Sequence, residues 1–261
     1  MTNGHGNTKV LKRDGTETTL NLDKIHKVVE EACEGLGSGV SASQVEMNSG
    51  LQFYDGIETK VIQEILVRSA SDLISLDAPN YQFVAARLLL YGVYKQVFGS
   101  EWVRGLPSVY DHALHCTNKN VYDQDILGKY TEEEWSKINS WIDHGRDELF
   151  TYAGLRQVVD KYLVQDRSSG VVYESPQYMY MMIAVTLFQN YTDNRLEYIK
   201  KYYDAISKHR INIPTPIMAG VRTPIRQFAS CVLVDADDTL DSIFSSDMAI
   251  GKYVAQRAGI G

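Results

Sequence analysis

Three cysteines and a pair of spaced histidines are the residues of this sequence with most chemistry to offer, and each needs a setting. Cys231 lies in RTPIRQFASCVLV, residues 222–234. A thiol can give up a proton, supply reducing equivalents and finish as half of a disulfide. Cys33 and Cys116 are far from it in the chain, and the three make neither a CxxC metal pattern nor a disulfide framework. Alone, a cysteine on an apolar stretch is a small core hydrophobe. His112 and His115, at i and i+3, would suit a metal on a helix, but no third or fourth ligand is near in sequence, so no metal is assigned to this chain. The sequence has no GxxxxGK loop, so a nucleotide's phosphates would have to be held by discrete lysines.

The elements around Cys231 follow from breakers and alternation. Pro224 ends what precedes it, and Gln227 to Val234 alternates without a breaker, as a buried strand does. On such a strand Gln227, Ala229, Cys231 and Leu233 share one face, and Phe228, Ser230, Val232 and Val234 the other. Upstream, Pro214, Pro216, Gly220 and Pro224 predict a rigid, largely non-helical approach over 211–223. Downstream, Asp235 to Asp241 opens a helix whose acidic first turn suits the macrodipole.

The first hundred residues predict a small sheet laid over a helical bundle. Arg13-Asp14-Gly15-Thr16 between two short β-prone runs signals a hairpin. Asn21 can cap a helix carrying Ile25, Val28, Val29, Ala32 and Cys33 on one stripe, ending before Gly35. A second helix begins near Ser43, Thr59 has the chemistry of the next N-cap, and Asp77-Ala78-Pro79 is read as the start of the last. Gly99 to Pro107 reads as a linker. Beyond it the chain is helical. Thr131 and Glu134 form a capping box, a helix covers about 152–162, and Arg167-Ser-Ser-Gly170 is a turn. Ser175-Pro176 then opens an apolar helix whose Tyr178 to Met182 read as core packing, and one more helix runs from about 194 to 208.

Composition sets the outer bounds. Apolar residues at 44% and charged residues at 23% describe an ordinary folded chain of one or two domains, mainly α with small β parts (α+β). A net charge of -7 without a Lys/Arg run excludes nucleic acid as a partner. The longest apolar run, Tyr178 to Phe188, is too short for the roughly 20 residues of a membrane span. The start MTNGHGNTK lacks a signal peptide's apolar core, and the sparse cysteines suit a reducing, cytoplasmic setting.

Taken together, PTPIMAGVRTPIRQFASC, SQVEM, QFYDGI and RAGIG resemble the large (alpha) subunit of class I ribonucleotide reductase, from about Lys9 onward. VxKRDG followed by NLDKI resembles the ATP cone, that family's regulatory nucleotide-binding module. The resemblance implies three parts: a cone over 1–98, a helical domain over 99–218, and over 219–261 the first strand of a ten-stranded α/β barrel. That family's subunit is much longer, so the chain is expected to be a shortened piece or one product of a split gene.

The resemblance also implies residue roles. In the cone, Lys12, Lys24 and Lys95 would hold the phosphates of ATP or dATP, with Mg2+, and Val10, Asn21 and Thr59 would surround base and sugar. Thr18 stands where the family's fully allosteric members have a glutamate facing adenine, and Gln63 where they have a histidine near the sugar. Glu17, one strand position away, faces the other side and cannot replace it. Weak discrimination between ATP and dATP is therefore expected. Thr215, Ser230, Cys231 and Gly259 would contact a ribonucleoside diphosphate, Ser230 through its backbone. Cys231 would be the redox-active thiol that protonates the departing 2′-hydroxyl and delivers reducing equivalents. Asp238, Thr239 and Leu240 would belong to a specificity-effector site at a dimer interface. Expected partners are the rest of the large subunit, the radical-generating small (beta) subunit, and thioredoxin or glutaredoxin acting through the missing part. The competing reading is a stand-alone nucleotide-sensing cone module without catalysis, which would not need the segment after Pro214. An inert remnant of a disrupted gene is a third.

Overall fold

The computed structural model describes residues 8–50, 52–256 and 258–261. The polar start MTNGHGN and Arg257 of RAGIG lie outside the described residues. The chain divides into two compact units, one of residues up to 103 together with Gly145–Asp160, the other of Arg104–His144 and Lys161–Gly261.

In the first unit, β1 (Lys9–Leu11) and β2 (Glu17–Thr19) form the predicted antiparallel hairpin, with Val10 opposite Thr18. Gly15 supplies the turn's positive φ of 81°. Asn21 caps α1 (Leu22–Cys33), its Oδ1 accepting the Lys24 amide at 2.9 Å. After α2 (Ala42–Gly50), β3 (Ile57–Glu58) lies parallel to β1 on the side away from β2, and leads without a loop into α3 (Thr59–Ser71). Because strand passes directly into helix, the extended capping residue is Glu58 (φ -72°, ψ 141°), and Thr59 is already the first helical residue. The expected Thr59 cap is thereby corrected.

The last helix, α4 (Tyr81–Phe98), begins later than predicted. Asp77 to Asn80 form a separate turn, in which the Pro79 carbonyl accepts the Gln82 amide at 3.1 Å, and Asn80 occupies the cap position. Val29, Ala32, Val45, Ile57, Leu66, Ala70, Val84 and Leu88 from these elements make the unit's core. Gly99–Arg104 is a 3₁₀ turn, where an open linker was expected, and the unit regains α7 (Tyr152–Gln157) from later in the chain.

The second unit is built around α8 (Pro176–Phe188), whose residues 176–186 are all buried, Tyr178 to Met182 included. A helix apolar all round belongs inside a helical layer. That layer includes α5 (Val109–Asn118), α6 (Glu132–Trp141) with its Thr131/Glu134 capping box, and α9 (Arg195–Ser207). A π turn at Val158–Tyr162 precedes a short hairpin of β4 (Gln165–Asp166) and β5 (Val171–Val172), turned at Gly170 (φ 70°).

Residues 211–223 are not the non-helical approach expected. Thr215–Gly220 form a short helix, α10, in which Pro216 falls in the first turn, where its missing N–H is tolerated. The predicted eight-residue strand contracts to β6 (Cys231–Val232). At its start Gln227 bonds its own neighbour: its Nε2 donates to the Ala229 carbonyl at 2.8 Å and its Oε1 accepts the Ala229 amide at 2.5 Å. A side chain that bonds its own neighbours' backbone takes groups away from a ladder. Nor is the strand buried, since Cys231 is exposed and Leu233 is 86% exposed. Its partner is β7 (Gly259–Ile260) of the same chain, parallel, pairing Cys231 with Gly259. Between them runs α11 (Leu240–Ala255), capped by Thr239, whose Oγ1 accepts the Ser242 amide at 3.2 Å.

Candidate functional sites

The first candidate site gathers cations at one end of the small sheet. Lys12 ends β1's run into the turn, its amide donating to the Thr16 carbonyl and its carbonyl accepting from Gly15. Arg13 is next in the turn, Lys24 lies in the first turn of α1, and Lys95 in the last turn of α4. Lys95 senses the other three. Loss of water around Lys95, followed by the fields of Arg13, Lys24 and Lys12, lowers the Lys95 pKa from its usual value. Desolvation lowers Arg13 as well. Among the described residues none of the four is in an ion pair, and unpaired converging cations suit a polyphosphate.

The nearest carboxylate, Asp14, is turned to the hairpin instead. Its Oδ1 accepts from the Thr16 hydroxyl at 2.7 Å and the Thr16 amide at 2.9 Å, and these bonds hold its pKa down. Val10 is buried and Thr18 lies opposite it, while Thr59 follows β3, the strand paired with Val10 on the other side. Asn21 uses its side-chain oxygen on the helix cap. Gln63 does not sit with the cations' functional groups as a free amide; it donates to the Leu88 carbonyl at 2.6 Å. Arg13 is the residue that sequence reasoning missed, although its place beside Lys12 in KRDG was a usable signal.

The second candidate site is the β6–β7 pair. The Gly259 amide donates to the Ser230 carbonyl at 3.0 Å, so Ser230 acts here through its backbone. A β-carbon on Gly259 would lie 3.1 Å from that carbonyl oxygen and 3.8 Å from the Cys231 Sγ. Ser230, Cys231 and Gly259 are thus brought together. Thr215, at the start of α10, is hydrogen-bonded to the Tyr162 hydroxyl (3.3 Å). Asp238, Thr239 and Leu240 follow β6 at the mouth of α11, with Leu240 71% exposed. An exposed thiol beside a backbone carbonyl can exchange protons and electrons with a partner in contact with it.

Nine positions before Cys231, Arg222 belongs to a wholly buried ion pair. Arg222 Nε donates to Glu174 Oε2 at 2.8 Å and its Nη2 reaches Glu174 Oε1. Its Nη1 donates to the Met218 carbonyl at 2.5 Å and its Nη2 to the Tyr162 carbonyl at 3.0 Å. Burial works to lower the Arg222 pKa, but the Glu174 carboxylate outweighs it and the guanidinium stays charged. Glu174 also takes the Tyr122 hydroxyl and, at 2.6 Å, the Val164 amide, so both charges are fully bonded. His112, by contrast, faces the core: stacked on Tyr178, it has its pKa driven down to about 3 by burial and then by His115 and His144. Among the described residues no group of three or more His, Cys, Asp or Glu is arranged to hold a metal. No helix of the described residues is long and apolar enough to cross a membrane.

Comparison with known proteins gives the chain's relatives. Residues 8–96 match the ATP cone domain family, and residues 148–226 match the family described as ribonucleotide reductase, all-alpha domain. The chain is 50% identical, over 98% of its length, to ribonucleoside-diphosphate reductase 1 subunit alpha of Escherichia coli (strain K12). It is 51% identical over 97% to the subunit alpha of Haemophilus influenzae, and 41% identical over 97% to that of Enterobacteria phage T4. In each case it spans 33%, about a third, of the relative's length. With a cone ahead of the all-alpha domain and this identity along nearly all its residues, the chain belongs to the ribonucleotide reductase large-subunit family.

Proposed function

We propose that this chain serves the reduction of ribonucleoside diphosphates to deoxyribonucleotides. In this reading 1–98 acts as regulatory cone, 99–218 as helical layer and 219–261 as the opening of the catalytic barrel. That division is one of role and does not follow the two compact units. Cys231 is the observation that carries the reading: an exposed thiol, against a glycine and a backbone carbonyl, in a chain of this family. When a radical elsewhere has removed the 3′ hydrogen, Cys231 protonates the departing 2′-hydroxyl and supplies reducing equivalents. A second thiol must complete the disulfide. The family resemblance places that partner thiol in the remainder of the large subunit.

Ser230 and Gly259 shape the same wall, Thr215 meets phosphate or sugar, and Asp238, Thr239 and Leu240 take the specificity effector. ATP or dATP, with Mg2+, binds the cation cluster of the cone. The radical-generating beta subunit and a thioredoxin or glutaredoxin complete the enzyme in the cytoplasm. Conversion of Cys231 to serine tests the proposal in the assembled reductase. Cys231→Ser is expected to change stability by less than about 0.5 kcal/mol, as exposed sites do, and to abolish multiple-turnover reduction. Sustained dithiol-driven turnover by that variant would return Cys231 to a packing role and favour the sensing-module reading.

A further inference from the structure

Thr215 and Tyr162 are 53 residues apart in sequence, yet their hydroxyls share a hydrogen bond of 3.3 Å. Both are tied to one buried group. The Arg222 guanidinium donates through Nη2 to the carbonyl of Tyr162 and through Nη1 to the carbonyl of Met218, in the helix that Thr215 opens. Glu174, which fixes Arg222, also accepts the amide of Val164, two residues beyond Tyr162. The backbone segments that carry the two hydroxyls are therefore held by a fully buried, charge-assisted frame, and the hydroxyl pair itself lies at the surface.

A threonine hydroxyl has one hydrogen and two lone pairs, and the same is true of a tyrosine's donor and acceptor capacity. If Thr215 gave its hydrogen to Tyr162, only lone pairs would remain for an anionic ligand. If Tyr162 donates, the Thr215 hydrogen is left for a phosphate oxygen. We propose that Tyr162 is a substrate-positioning residue: its hydroxyl donates to Thr215 Oγ1 and turns the Thr215 hydrogen toward the phosphate of a ribonucleoside diphosphate. This rests on the reading of Thr215 as a substrate contact. Tyr162 acts through Thr215 and has no part in the proton and electron transfers at Cys231.

The test is a double-mutant cycle in the assembled reductase, full-length large subunit plus small subunit, with a ribonucleoside diphosphate as variable substrate. Tyr162→Phe removes one oxygen and keeps the ring. It is expected to raise KM about three- to tenfold, the fold-change of losing one neutral hydrogen bond, while kcat falls less than twofold. Thr215→Val should raise KM at least as much, Thr215→Ser should restore it, and Tyr162→Phe should add nothing in the Thr215→Val background. An unchanged KM in Tyr162→Phe alongside a raised KM in Thr215→Val would overturn the positioning role alone. Fully additive effects would overturn it too, since the residues would then act separately. An unchanged KM in Thr215→Val would remove the substrate reading of Thr215 and the inference with it.

Discussion

The Gln63 side-chain amide donates to the Leu88 carbonyl at 2.6 Å, and Gly92, one turn further along the same helix, leaves the room it occupies. A β-carbon at 92 would stand 3.3 Å from Gln63 Cγ. Gln63 is thus a brace between two helices of the first unit, with one amide hydrogen committed to the protein. A side chain held in this way is poorly placed to read a 2′-hydroxyl, and Thr18 brings no charge to the base. Calorimetric titration is expected to give ATP and dATP affinities within about tenfold of each other, about 1.4 kcal/mol. Tighter binding of dATP by more than that would mean that another group does the reading.

Lys95 makes ATP binding pH-dependent. Desolvation and three neighbouring cations lower its pKa in the free protein, and a bound polyphosphate favours the charged form and raises it again. Binding therefore takes up a proton where the two values straddle the pH. Affinity should fall as pH rises toward the ordinary lysine value of about 10.4. Lys95→Arg, which stays charged, should flatten that profile. Titrations in two buffers of different ionisation enthalpy measure the proton uptake directly.

His26 should give the cone a stability that falls with rising pH. Its Nδ1 lies 2.7 Å from Glu46 and its Nε2 3.0 Å from Glu30, so both ring nitrogens face carboxylates, as only the imidazolium can satisfy. The Glu46 hydrogen bond, then its charge, raise the His26 pKa above 6.5. A raised pKa contributes stability that is complete below the unfolded value and lost as pH climbs through the folded one. The thermal midpoint should drop as pH climbs above 6.5, and His26→Gln should remove that step. An unchanged step in the variant would assign it to another group.

The Arg222–Glu174 pair predicts the most damaging substitution in the second unit. Arg222→Met leaves the Glu174 carboxylate buried without its partner and strips donors from two carbonyls. Breaking a buried pair in this way costs about 3–5 kcal/mol. Denaturant unfolding should show that loss for Arg222→Met and for Glu174→Ala. The double replacement Arg222→Met with Glu174→Leu should recover much of it, because no lone charge remains.

Local chemistry was legible in the sequence and long-range chemistry was not. The Asp14-Gly15 hairpin, the Asn21 cap and the Thr131/Glu134 box formed as read, because each is decided by residues within four positions of one another. The cluster of Lys12, Lys24 and Lys95 came from the family resemblance, and the structure places Lys95 within the fields of the other two. What failed was of three kinds. Gln227 looked like one more strand residue, but its side chain bonds the Ala229 backbone. Arg222 and Glu174, 48 residues apart, leave no periodicity that would link them. The 211–223 segment was misread because prolines were counted as breakers where one falls in a helix's first turn.

Gly259 stands beside the Cys231 sulfur with no side chain of its own, and the Ser230 carbonyl closes the same flank. Side-chain walls rotate and give way, whereas a peptide plane does not. On that flank the thiol is bordered by main chain alone, so the angle from which another molecule can meet the sulfur is dictated by covalent planarity. A methyl group at position 259 would stand 3.8 Å from the sulfur and 3.1 Å from that carbonyl oxygen, so the opening on this flank is a property of the backbone.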